Sequence, residues 1–309
     1  MQIIYNNDLK NKVFLKTTVA LGSFEALHAG HLKIIEKTVA CAKSNDLESV
    51  ITIFKNPILK NRNMVCETLE ERLEIIKNTG ADTVVIFDFN EEFRTLSYTE
   101  FFNKYIIEIF NAKHVFTGFN YRFGNGALGD NDVLSSLCKE RKIVHDITPP
   151  IAFDEIVSST HIYNLIITGD AKKLNDLLLR PYSITGTVTI GRKIGHKLGF
   201  PTANIEFPEN KAILKNGVYF GYAETVYGVS YAIINVGTQP TVSDVNTPKI
   251  EAFLLDFSED IYGKKIKINF LEYIRDIKKF TSIDELKKQL NSDKKIAEKL
   301  KENIKANTF

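Results

Sequence analysis

Cysteine is scarce. Cys41, Cys66 and Cys138 stand far apart and form no CxxC pair. That spacing excludes a disulfide framework and a sequence-local zinc cluster, and leaves buried, inert thiols as the reading. A charge excess is also missing: 40 Lys and Arg against 38 Asp and Glu leave a formal net charge of +2, so no broad basic surface points to nucleic acid. The Lys-rich stretch from Lys287 to Lys305 is interleaved with Asp and Glu, as on a solvated helix face. No run approaches the roughly 18 apolar residues that a membrane span requires. The opening MQIIYNNDLKNK lacks the apolar stretch of a signal peptide. A cytoplasmic protein without nucleic-acid or membrane partners is expected, with the oligomeric state open.

What is present is an ordinary globular composition, 44% apolar and 25% charged, over 309 residues. That length exceeds one ordinary core, so two domains are expected. The first half alternates strand-like runs (TTVALGSF, ESVITIF, DTVVIFDF, KHVFTGF, KIVHDIT) with segments of helical period (HAGHLKIIEKTVACAKSN, TLEERLEIIKNTG, SYTEFFNKYIIEIFN, DNDVLSSLCKER). Strands separated by helices predict an α/β, doubly wound parallel sheet with ligands beyond the strands' carboxyl ends. After about residue 180 short strands with Gly, Asn and Asp punctuation (SITGTVTI, GVYFGYAETV, GVSYAIINVG, KIEAFLLDF, KKIKINFLEYI) predict a small β-barrel. A closing helix follows, with Ser282 as N-cap and Glu285 three residues on. The expected division is 1–180 and 181–309.

In LGSFEALHAGH, His28 and His31 admit three readings: metal ligands, a capping and a packing residue, or a grip on phosphate. Zinc needs a third ligand that no nearby motif supplies. A helix start after the first strand of a parallel sheet offers free N–H groups to an anion, with Gly22 admitting close backbone approach and Gly30 close packing of the first turn. Imidazoles there suit nucleotidyl transfer, in which an ionised phosphate nucleophile needs positioning and charge neutralisation but no base. Further on, GRKIGHKLGFPTANIEF carries Gly191, Gly195 and Gly199 at intervals of four, a loop pattern whose backbone N–H groups suit an anion. Thr202 and Asn204, two apart in extended chain, turn a hydroxyl and an amide oxygen to one side, a neutral pair suited to nucleotide-bound Mg²⁺.

Gly22, Phe24, His28, Gly30 and His31 resemble the GxFDGxHxGH signature of the bacterial bifunctional riboflavin kinase/FMN adenylyltransferase (FAD synthetase) family. GFNYRFGNGALGD is similar to its G-x-DFRFG-x-x-x-x-GD loop, and VSSTHIYNLIITGD to its ISSTxIR stretch. GRKIGHKLGFPTAN resembles the riboflavin kinase motif GxxxGRxLGFPTAN, with further matches from GVYFGYA to KFTSIDELKKQL. The resemblance implies a six-stranded kinase barrel and two reactions: ATP phosphorylates riboflavin to FMN, and a second ATP adenylylates FMN to FAD with release of pyrophosphate. Riboflavin, FMN and ATP would be the small-molecule partners and Mg²⁺ the cofactor.

By the same resemblance His28 and His31 hold ATP phosphates, with Gly22, Ser23, Phe24 and Gly30 shaping the seat. Ser158, Ser159 and Thr160 contact phosphate or pyrophosphate. Asn120, Arg122 and Gly124 face nucleotide, while Tyr121 and Phe123 face flavin. In the kinase module Gly191, Gly195, His196, Gly199 and Pro201 contact nucleotide, and Thr202 and Asn204 hold Mg²⁺. Glu251 is the base that takes the ribityl hydroxyl proton, and Asp256, Tyr262 and Arg275 lie towards flavin. The chain departs from the family pattern at Glu25, Ala26, Asn56, Asn120, His161, Tyr163, His196, Gln239 and Ile277. A phenol at 163 cannot reproduce the bidentate clamp of the family's arginine. Two other readings stay open: a riboflavin kinase whose N-terminal domain no longer catalyses, and a non-catalytic flavin or nucleotide sensor.

Overall fold

The computed structural model describes residues 1–56, 64–191, 199–240 and 246–306. Contacts divide the chain into two compact units, Met1–Ser159 and Thr160–Phe309. Among the described residues no helix is long and apolar enough to cross a membrane.

The first unit is the expected doubly wound sheet. Its strands are β1 (Gln2–Tyr5), β2 (Thr17–Ala20), β3 (Glu48–Phe54), β4 (Thr83–Phe87), β5 (Ala112–Gly118) and β6 (Val144–Thr148). They run parallel in the order β1-β4-β3-β2-β5-β6. The β2, β3 and β4 side chains are nearly all buried, as expected where helices cover both faces. The helices are α1 (Ala29–Asn45), α2 (Leu69–Asn78), α3 (Glu91–Thr95), α4 (Tyr98–Phe101) and α5 (Asn131–Glu140). A full capping box starts α2: Thr68 Oγ1 accepts from Glu71 N–H, and the Glu71 carboxylate accepts from Thr68 N–H. The segment read as one helix over 97–111 continues from α4 as a π-helix, Phe102–Ile109. Two apolar clusters fill the two faces, one around Val19, Val85, Phe102 and Phe110, the other around Ile35, Ile51, Val84 and Phe24.

The second unit opens with α6 (Ser159–Thr168, its first residue in the unit before) and α7 (Ala171–Leu178). Six antiparallel strands then close into a barrel: β7 (Tyr182–Thr189), β8 (Ala203–Glu206), β9 (Gly217–Thr225), β10 (Gly228–Pro240), β11 (Asn246–Leu254) and β12 (Lys265–Arg275), in the order β10-β11-β8-β7-β12-β9. Asn175 ties α7 to the barrel, donating to Phe270 O (2.8 Å) and accepting from Tyr182 N–H (2.7 Å). The last helix, α8 (Ile283–Ala306), starts as expected, with Ser282 Oγ accepting from Glu285 N–H. It buries Ala297 against Val218, Phe220 and Ile233. Its Asp293, 1% exposed, takes a bidentate pair from Arg275 at 2.6 and 2.9 Å.

Candidate active sites

In the first unit the strand order turns at β2, whose neighbours are β3 on one side and β5 on the other. Such a switch point opens a crevice beyond the carboxyl ends. The turn after β2 carries residues 22–31, and the turn after β5 carries 118–130, so both N-terminal motifs meet at this crevice. A Cβ at Gly118 would lie 3.4 Å from Ile34, which measures how closely the end of β5 approaches α1.

The first turn is tightly folded. Phe24 and Ala26 take left-handed backbone conformations, and residues 24–29 are buried. Gly22 and Ser23 are half-buried at its entry, and Gly30 at the start of α1. His28, 6% exposed, is the N-cap of α1: its Nδ1 accepts from the His31 N–H at 3.4 Å. The His31 ring stacks on it at 3.8 Å and meets the Phe24 edge at 5.3 Å. One histidine thus caps, and the pair is a fixed stack at the N-terminus of a 17-residue helix, where the macrodipole favours an anion. Among the described residues no three His, Cys, Asp or Glu side chains group as a metal site.

Behind the turn lies a charge cluster that sequence reasoning missed. Arg72, 1% exposed, donates to the carbonyls of Phe54 and Lys55 at the end of β3. Burial pulls its guanidinium below the usual arginine range, opposed by the nearby Glu67 and Glu25 carboxylates. Helical periodicity alone gives Arg72 no distinguishing mark. No sequence signal singles it out, because the burial of Glu25 that calls for a nearby cation appears only in the fold.

The second turn is held by a two-way bridge, Phe123 N–H to Gly129 O and Gly129 N–H to Phe123 O. Gly124 sits at φ 75°, and a Cβ there would lie 2.6 Å from Tyr98 N, so no other residue fits. Asn120 and Arg122 are exposed, with Arg122 3.5 Å from Asp130, the N-cap of α5. Tyr121 stacks on the buried Phe123 at 5.6 Å, and burial pushes its phenol well above the usual tyrosine range. The third N-terminal motif spans the division between units: Ser158 and Ser159 end the first, Thr160 begins the second, and Tyr163 is buried in α6.

In the barrel, register does the assembling. Thr189 of β7 lies opposite Asn204 of β8, Asn204 opposite Glu251 of β11, and Glu251 opposite Asn235 of β10. Their chain neighbours Val188, Ile205, Ile250, Ala252, Ile234 and Val236 are buried in the barrel. The four polar residues therefore form a row across the outer face. An open concavity of about 500 Å³ is lined by Thr189, Gly191, Asn204, Glu206 and Lys249. Asn204 is 8% exposed, and its Oδ1 accepts no hydrogen bond among the described residues. A buried amide oxygen left open in this way fits a hard cation. Thr202 is half-buried just before β8. Gly191 packs against the Asn204 amide so closely that any Cβ would overlap it. Glu251 Oε1 is 2.5 Å from Lys249 Nζ, both about a third exposed.

Lys249 and Asn235 were missed from the sequence. An alternating strand pattern puts 249 and 251 on one face, but only the register brings Asn235 beside them. Gly199 takes a left-handed φ, and Pro201 is exposed. Gly195 and His196 lie outside the described residues. Of the flavin-side candidates, Tyr262 is exposed, Asp256 pairs with Lys301 at 2.7 Å, and Arg275 is committed to Asp293.

Comparison with known proteins gives a consistent result. An FAD synthetase family model matches residues 10–161, and a riboflavin kinase model matches residues 178–301. The chain is 32% identical over 290 residues to a bifunctional riboflavin kinase/FMN adenylyltransferase of Bacillus subtilis, covering 91% of this chain and 92% of the relative. The Escherichia coli K12 protein of the same name is 28% identical over 287 residues, covering 89% and 90%. A crystal structure described as a macrolide-efflux protein from Streptococcus pneumoniae superposes with a TM-score of 0.89 at 28% identity, covering 96% of this chain and 99% of that one. Two family models in sequence order and relatives matched over nearly their whole length give one answer: the chain belongs to the bifunctional riboflavin kinase/FMN adenylyltransferase family.

Proposed function

We propose that the chain converts riboflavin to FAD in two steps, phosphorylation on the barrel and adenylylation on the parallel-sheet unit. The observation that carries the reading is the barrel register, which aligns Asn204 and Glu251 on adjacent strands beside a concavity. In the kinase step the ribityl hydroxyl oxygen attacks the γ-phosphorus of ATP. Its proton passes to the Glu251 carboxylate, and the bond from γ-phosphorus to the β-bridging oxygen breaks to release ADP. Lys249 neutralises Glu251 before substrate enters and must release it for the transfer. Thr202 and Asn204 hold Mg²⁺, which when bound offsets the charge of the ATP phosphates. Gly191, Gly199 and Pro201 serve the nucleotide, and the family motif assigns Gly195 and His196 the same role. Tyr262 belongs to the flavin side, while Asp256 and Arg275 fix the backbone there through Lys301 and Asp293.

In the adenylylation step a phosphate oxygen of FMN attacks the α-phosphorus of a second ATP, and pyrophosphate leaves. The nucleophile is already ionised, so no base is required. His28 and His31 hold phosphate oxygens at the α1 N-terminus, seated by Gly22, Ser23, Phe24 and Gly30. Ser158, Ser159 and Thr160 face the leaving pyrophosphate. Asn120, Arg122 and Gly124 face nucleotide, and Tyr121 the flavin ring, with the buried Phe123 packed behind Tyr121 rather than offered to flavin.

One observation favours a second reading. Tyr163, where the family has an arginine, is 5% exposed, so its phenol is packed rather than offered to phosphate. A riboflavin kinase with a silent adenylyltransferase unit is the alternative. Purified protein incubated with riboflavin and ATP–Mg²⁺, and separately with FMN and ATP–Mg²⁺, decides by chromatography. FMN from the first and FAD from the second support two activities, FMN alone supports the alternative, and neither product contradicts both.

A further inference from the structure

We infer that His145 and Thr117 are positioning residues for adenylylation, acting through a one-way hydrogen-bond chain that ends on the loop after β5. The inference rests on the reading of that loop as part of the nucleotide site. Four side chains from three elements take part: Ser135 and Asn131 of α5, His145 of β6 and Thr117 of β5.

The direction of the chain follows from counting protons. Asn131 Nδ2 donates to Gly118 O at 3.0 Å and to Phe119 O at 2.9 Å, so both amide protons are used. Its Oδ1 can therefore only accept, and it takes the single proton of Thr117 Oγ1 at 2.9 Å. With that proton given away, Thr117 Oγ1 must accept from His145 Nε2, 2.8 Å distant. His145 therefore carries a proton on Nε2; with the ring neutral, its Nδ1, 2.8 Å from Ser135 Oγ, accepts from that hydroxyl. Every donor and acceptor in the chain has one role. Thr117 has no solvent exposure, so no water can replace a lost partner.

The surroundings favour that neutral ring. Burial pulls His145 below the usual histidine range, with Asp146 pulling the other way. Asp146 is itself paired with Lys37 of α1 at 2.7 Å, which weakens its hold on the imidazole. The chain terminates on the two carbonyls immediately before Asn120. The Phe123–Gly129 bridge fixes the far side of the loop, and on the near side Tyr121 N–H closes a turn onto Gly118 O at 3.2 Å. Asn131 ties that same carbonyl and Phe119 O to α5, which sets where the arc carrying Asn120, Tyr121 and Arg122 sits.

Thr117→Val removes the hydroxyl at nearly constant volume, and Thr117→Ser keeps it. FMN-to-FAD kinetics, riboflavin phosphorylation and a thermal melt would be measured for both, with His31→Ala as the control on the site itself. Thr117→Val is expected to raise the KM for ATP about tenfold in adenylylation. Its kcat should stay within about threefold and phosphorylation should be unaltered, while Thr117→Ser recovers the wild-type KM. A merely structural role would lower the active fraction, and with it kcat, leaving KM in place. If Thr117→Val melts too early to assay, Asn131→Asp, which keeps the acceptor but cannot donate to the carbonyls, should show the same rise in KM. A wild-type KM in both Thr117→Val and Asn131→Asp overturns the inference, as does equal impairment in Thr117→Ser. If His31→Ala leaves FAD formation intact, the reading of the site has failed instead.

Discussion

Replacing Glu251 by Gln separates the chemistry of the barrel from its stability. The substitution keeps shape and removes the charge, so the ion pair with Lys249 is lost. Both partners of that pair are about a third exposed, 32% and 30%, so water screens it. Its loss should cost no more than about 1 kcal/mol of stability. A general base, in contrast, contributes about 10²–10⁴-fold to the rate, equivalent to about 3–5 kcal/mol of barrier. The expected outcome is a kinase kcat reduced at least about a hundredfold, with an almost unchanged urea midpoint and intact conversion of FMN to FAD. FMN formation is followed by chromatography at saturating riboflavin and ATP. A kcat within about threefold of wild type, far below any general-base contribution, would refute the assignment. A large drop in the midpoint would refute the screening argument.

Three further outcomes follow from the geometry. His31→Ala should reduce FAD formation about 10²–10³-fold, as for other single donors to a developing anion, and spare phosphorylation; matched FMN and FAD assays check both. Asp293→Ala leaves Arg275, 16% exposed, without its carboxylate and should destabilise the barrel by about 3 kcal/mol, read from urea denaturation. His145 titrates below its ordinary value of 6.5, so the unfolded chain binds that proton more readily. Its contribution to stability is complete above that value and falls as pH drops through it. Melting temperatures recorded from about pH 7 to pH 5 should decline more steeply for the wild type than for His145→Asn.

Much of this fold is legible in the sequence because its signals are local. Thr68 and Glu71 announce the start of α2, and Ser282 the start of α8. The runs 48–54 and 182–189 carry the buried and alternating patterns of their strands. The edge strand β1 was not legible: Ile3 and Ile4 are flanked by polar residues, and their place in the sheet comes from pairing with β4, far along the chain. Nor was β8, four residues long, recognisable as a strand in its own right. Thr202 and Asn204 could be proposed as a pair from their spacing and Glu251 from the family resemblance, but what sets Asn204 beside Glu251 is register between distant strands. The same holds for His145. Its sequence neighbours mark a strand and nothing more, and its partners Ser135 and Thr117 are joined to it only by the packing of α5 on β5 and β6.

The most direct test of the account is a crystal structure of the protein with ADP, Mg²⁺ and riboflavin. The account predicts Mg²⁺ bound by Asn204 Oδ1 and the Thr202 hydroxyl, and a Glu251 carboxylate oxygen within about 3 Å of the terminal ribityl oxygen. A ribityl chain ending farther from Glu251 than one bridging water can span, or a cation held elsewhere, would contradict it.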